Sequence, residues 1–174
     1  MTTQSLERQD PPHAAPEKET LEGFLDYHRA TLLHKVSGLD EAALRRRLVP
    51  SETTLLGLVK HLAYVERGWF QSVFAGLEVE EPPAEDDWRF KPSETSTAIF
   101  ALYQSEVAIS RRIVAKANLD DVARDAEEGL GEEELRSRQP QSLRWIMVHM
   151  IEETARHNGH ADILRELIDG QVGE

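Results

Sequence analysis

The chain has 174 residues, of which 40% are hydrophobic and 30% charged, enough for one domain with its own core. Its 20 Lys and Arg against 32 Asp and Glu leave a formal net charge of −12, which argues against partners that present phosphates, whether nucleic acid or an anionic membrane surface. Cysteine is absent, so disulfides, thiolate catalysis and cysteine-ligated zinc are excluded, and any thiol chemistry needs a thiol from outside.

Residues 1–17 carry Pro11, Pro12 and Pro16 with little apolar content and read as a flexible N-terminal arm; residues 18–174 read as a single domain. No apolar h-region opens the chain and no apolar run reaches the ~18 residues that would span a bilayer, so a cytoplasmic protein is expected. From Thr20, Leu21, Phe24, Leu25, His28, Leu32 and Val36 recur at helical spacing as far as Gly38. Asp40 caps a short segment that runs towards Pro50. A second helix starts within 51–54, with a stripe of Leu55, Leu58, Leu62, Val65, Trp69 and Val73. Gly76 and an acidic, proline-bearing run end it, and 77–93 reads as a surface loop. Ser93 or Thr95 opens a third helix, with Phe100, Tyr103, Val107, Ser110 and Val114 as its stripe. Residues 118–140 are acidic, weakly patterned and read as a second long loop. Pro140 and Ser142 introduce the longest helix, from Leu143 to Ile168, closed by Gly170. Four helices with apolar stripes and no credible strand predict an all-α four-helix bundle with long connecting loops.

The last helix carries the chemistry. At about 100° per residue, Ile146, Met150, Leu164, Leu167 and Ile168 fall within roughly 60° of Glu153, and so do His149, His157 and His160. A carboxylate on such a face needs a partner, because burial strips its hydration. A metal ion accepts a carboxylate and neutral imidazoles together. Glu153 and His157 stand four residues apart and project from successive turns, so both can reach one ion. A third ligand must come from elsewhere. His13 lies in the arm and His34 on the polar side of the first helix, which leaves His28 and His61 as candidates by spacing. His61 sits at the edge of its stripe, where a side chain points obliquely between neighbouring helices.

Leu58-Val59-Lys60-His61-Leu62, followed by Glu66 and Trp69, is one motif. Ser142-Leu143-Arg144-Trp145, leading into His149 through Asp162, is a longer one. With these the chain resembles the DinB-like four-helix metalloproteins from about residue 20 onwards, and most of all an actinobacterial branch related to mycothiol-dependent maleylpyruvate isomerase. The resemblance implies a divalent metal on His61, Glu153 and His157. Many relatives have histidine where this chain has Glu153, and the isomerase type has glutamate there.

Several residues keep bland alternatives. Glu153 and His157 could simply form an ion pair. His160 could be a fourth ligand, a hydrogen-bond partner of a ligand or a general base, and His149 packs beneath the site. Glu66, one turn beyond His61, is a partner for a ligand or, more simply, a solvated surface residue. Trp69, Phe70 and Trp145 read as core. Arg156 is the candidate for holding a cosubstrate, or pairs with Asp162.

Three protein ligands leave metal positions open, which marks catalytic sites. The leading expectation is metal-dependent transfer or isomerisation of a small electrophile, with a low-molecular-weight thiol, mycothiol by resemblance, as cosubstrate and His160 as catalytic group. Zinc is the first metal expected, with nickel and iron as alternatives. A non-catalytic metal-binding bundle and a metal-dependent hydrolase are the competing readings. A homodimer is a further expectation. The chain has no Gly-rich phosphate loop and no G-x-S-x-G elbow, which leaves phosphoryl transfer and serine hydrolysis without a basis.

Overall fold

The computed structural model describes residues 8–80, 88–123 and 140–173. Among these the protein is all-helical, with one isolated bridge between Val122 and Ser142 and no strand. Helix α1 spans Glu17–Val36, α2 Glu41–Leu44, α3 Leu55–Glu66, α4 Ser96–Ala115 and α5 Leu143–Asp169. A π-helical segment, Arg67–Phe74, continues α3 without a break.

The boundaries follow from capping chemistry. Asp40, Thr54, Thr95 and Ser142 each accept a hydrogen bond from a backbone N–H three residues on, at the start of α2, α3, α4 and α5. Gly38 and Gly170 leave α1 and α5 at φ 75° and 78°, a left-handed turn that costs glycine nothing. In the π-helical segment Phe70 and Phe74 turn inward, while Trp69 and Val73, which ideal α-helical spacing puts on the stripe, stay partly exposed.

Helix direction can be read from side-chain contacts. Arg144 meets Glu17, Asn158 donates to the His28 carbonyl and Lys35 pairs with Asp162, so α1 and α5 run parallel. His61 lies beside Glu153 and Trp69 beside Trp145, so α3 runs antiparallel to α5. Lys60 reaches Glu94 just before α4, and Arg67 reaches Glu106 within it, so α3 and α4 are parallel. Parallel neighbours cannot be joined by a tight turn; their connection must run back along the helices. That is why the segment from Gly76 to Thr95 is long; of its described residues, Trp88 and Arg89 lie against the middle of α3.

Two apolar clusters fill the interior. One holds Leu32, Leu44, Leu58, Leu62, Tyr103 and Leu164; the other holds Leu25, Phe70, Phe74, Val114, Met147 and Met150. Buried polar groups stand between them along each helix. Arg29 makes paired hydrogen bonds to Glu66, both at 2.7 Å, and Glu106 accepts from Arg67 and Gln71. Glu66 is 1% exposed, so the reading of it as a solvated surface residue is corrected: its charge is held inside by Arg29.

Other readings are also revised. Trp145 is 48% exposed and is not core. Phe24 and Leu167 lie outside the core as well, because the buried faces of α1 and α5 are centred on Leu25, Leu32 and Val36, and on Met147, Met150, Ala161 and Arg165. Asp162 pairs with Lys35 and not with Arg156. The second acidic loop lies mostly outside the described residues, as do residues 81–87 of the first.

Candidate metal centre

His61 is placed by a helix that is apolar on nearly every side. Leu58, Val59, Leu62 and Ala63 are fully buried around it, so α3 cannot rotate without exposing them, and His61 is held where α3 faces α5. Glu153 and His157 come from successive turns of α5. The buried face of α5 is turned away from Glu153 towards Met147, Thr154 and Ala161, which puts Glu153 and His157 at the rim. Their side chains are 20% and 12% exposed, and that of His61 is 17% exposed. The sequence argument set Glu153 at the centre of the apolar face; the structure gives it an open side.

The three residues converge. One ligand atom from each of His61, Glu153 and His157 lies within 4.8 Å of the others, and they are the one such group among the described residues. Glu153 Oε1 is 3.4 Å from His61 Nε2 and 3.0 Å from His157 Nε2. Metal–ligand bonds of about 2.0–2.2 Å in a tetrahedral shell separate neighbouring ligand atoms by about 3.3–3.6 Å. The two distances to Glu153 are close to this spacing, and two imidazoles with one carboxylate suit a divalent transition metal. The same carboxylate oxygen lies within hydrogen-bond reach of both rings.

The electrostatics fit this donor set. Burial works against ionising Glu153, but His157 and His61 outweigh it and hold the carboxyl below its ordinary range. Burial pushes His157 below its ordinary value, and this outweighs the opposing pull of Glu153. A neutral imidazole is the form that donates a lone pair to a metal.

Two neighbours shape the site. Trp88 stacks on His61, with ring centroids 4.7 Å apart and planes 21° apart. Gly57, one turn before His61, makes room for it: a Cβ there would stand 3.3 Å from the Trp88 ring. Sequence reasoning missed Trp88, which lies in the stretch read as surface loop. His160 Nδ1 is 3.3 Å from His157 Nδ1. When His157 Nε2 gives its lone pair away, the ring proton sits on Nδ1 and can be donated to His160, which fixes the ring and its tautomer.

The family model for mycothiol S-transferases matches residues 20–170. The chain belongs to this family. The match runs from the first turn of α1 to the glycine that ends α5, so it includes every helix that contributes to the convergent group. Mycothiol S-transferases are a DinB-like family, in agreement with the resemblance carried by the His61 and Glu153–His157 motifs. A comparison with curated individual proteins gives no match. In this member of the mycothiol S-transferase family, His160 is exposed beside His157 and is not part of the convergent group. Arg156 is exposed on α5. His149 is one turn before Glu153, stacked on Trp145 and edge-on to Trp69. His28 gives its carbonyl to Asn158, while His13 and His34 are exposed.

Proposed function

We propose that the protein is a metal-dependent thiol transferase on a DinB-like four-helix bundle, with His61, Glu153 and His157 holding one divalent cation, zinc in the first instance. The observation that carries this is the convergence of three ligand atoms from α3 and α5 in a chain of the mycothiol S-transferase family. The cation, when bound, lowers the pKa of a thiol brought beside it.

The protein's own groups do the rest. The two imidazoles and the carboxylate stay at the rim, where a small molecule can enter. His160, exposed one turn beyond His157, is assigned the thiol proton, which its ring nitrogen accepts in place of the hydrogen bond from His157. Arg156, also exposed on α5, serves the polar part of the thiol cosubstrate, mycothiol in this reading. The sulfur then forms a bond to the electrophilic carbon, and the leaving group departs with the bonding pair. The chain has no cysteine to compete as nucleophile. This activity belongs to the cytoplasm.

The test is conjugation of mycothiol to monochlorobimane by zinc-loaded protein. Thiol should disappear as conjugate and chloride form, and chelation should abolish turnover. His160→Ala should lower kcat by about a hundredfold, and Arg156→Ala should raise the KM for the thiol with little change in kcat. Turnover that persists unchanged after metal removal would overturn the proposal.

A further inference from the structure

Lys60 precedes the candidate ligand His61 on α3, yet its side chain is 2% exposed. A buried ammonium is costly unless its hydrogens find partners, and an apolar side chain of similar length would fill the space without that cost. Lys60 is turned to the connection that leads into α4. Its Nζ donates to the Arg89 carbonyl at 2.5 Å and pairs with Glu94 Oε1 at 3.0 Å. Glu94 Oε2 accepts from the Lys91 N–H at 2.6 Å, which tightens the turn between them, and Nζ stands over the Phe90 ring at 5.6 Å. The Arg89 carbonyl is one residue from Trp88, whose indole is stacked on His61 at 4.7 Å and lies against Gly57, where a Cβ would come within 3.3 Å of it.

We propose that Lys60 is a positioning residue for the metal centre: it pins the Arg89 peptide, and so holds the Trp88 ring against His61 and keeps that imidazole turned towards Glu153. The inference rests on the reading of His61 as a metal ligand and adds a residue that acts on it through another side chain. Successive positions of α3 diverge by about 100°, so Lys60 and His61 leave the helix on different flanks. The connection touches both flanks, at Arg89 and at Trp88, so two neighbours on α3 hold two neighbours on the connection. The exposed Arg89 side chain pairs with Glu52 at 3.3 Å, so Lys60 holds this residue by its carbonyl and not by its guanidinium. A ligand ring that must be ordered on binding lowers affinity. The stacked indole restricts the His61 ring before a cation arrives, and it does so only while the connection is fixed.

The test labels the full-length protein with 5-fluorotryptophan, and its three fluorine resonances are assigned with Trp69→Phe, Trp88→Phe and Trp145→Phe. Lys60→Met keeps the length of the side chain and removes its donors. It should move the Trp88 resonance and leave those of Trp69 and Trp145 in place. Zinc affinity, read by competition with a chelating dye, should fall about two- to tenfold, the range expected for loss of the Trp88 contact itself. In a Trp88→Ala background the same substitution should weaken zinc no further, because its effect passes through the indole. A general loosening of the bundle would instead weaken zinc alike in both backgrounds. Should Lys60→Met fail to fold, Glu94→Ala, at a partly exposed position, loosens the same pin and should move the same resonance. A Trp88 resonance that stays put in the folded variants, or an equal loss of affinity with and without Trp88, would overturn the inference. A wild type that binds no zinc would sink the reading of His61 as a ligand and the affinity claim with it; the fluorine resonance would still decide whether Lys60 holds Trp88.

Discussion

Glu66 and Arg29 form a buried ion pair that fixes α1 against α3. Removing one partner leaves the other charge in the core without compensation, so Glu66→Ala should cost about 3–5 kcal/mol, measured by denaturant unfolding. Metal content of the folded fraction should stay unchanged, because Glu66 is not in the convergent group. The signal for this pair was in the sequence: Arg29 falls between Leu25 and Leu32, and Glu66 between Leu62 and Phe70, each on an apolar stripe. Read singly, each looks like a surface charge. Only the crossing of two helices makes them partners, and no local pattern reports that. His28 offers a second check. Burial depresses its pKa below the ordinary 6.5, so the unfolded chain takes up that proton first as pH falls. The fold should therefore lose stability below about pH 6.5 and regain none of it on further acidification. His28→Gln should remove this component from the stability profile of the metal-free protein.

Helices α3 and α5 supply the ligands, but the connection between α3 and α4 completes the surroundings. Because those helices are parallel, the connection must return past α3, and it lays Trp88 over His61 and Gly57. Trp88→Ala should loosen the His61 ring and weaken zinc affinity by the worth of one aromatic pair, about 0.5–1.5 kcal/mol, readable by competition with a chelating dye. Nothing in the sequence around Trp88 shows this role, since it lies in an aperiodic acidic stretch and its partner is 27 positions away. Helix existence was far more legible. The capping residues and the terminal glycines lie where the periodicity starts and stops, so Thr54, Thr95, Ser142 and Gly170 bound α3, α4 and α5 as expected. Rotation of a helix about its axis was less legible. Leu164 is buried and Leu167 exposed, although both fall near Glu153 in projection, because the packing of α1 and α3 decides which flank of the stripe is covered.

Across the molecule, a cation on His61, Glu153 and His157 would tie α3 to α5. A ligand that binds only the folded chain stabilises it by mass action, about 4 kcal/mol at a thousandfold excess over Kd. Zinc should therefore raise Tm in a concentration-dependent way, and chelation should return it to the metal-free value without changing helix content. The spacing of Glu153 and His157 alone pointed to two ligands from α5, and the family resemblance selected His61 over His28. The folded chain brings those three together while His28 gives its carbonyl to Asn158.

The central claim is tested most directly by elemental analysis of the purified protein beside Glu153→Ala and His157→Ala, with helix content checked by circular dichroism. The account predicts about one zinc, nickel or iron per wild-type chain and its loss from both folded variants. Stoichiometric metal retained in either variant, or none in the wild type after reconstitution with zinc and nickel, would contradict it and leave the group as a hydrogen-bonded carboxylate between two imidazoles.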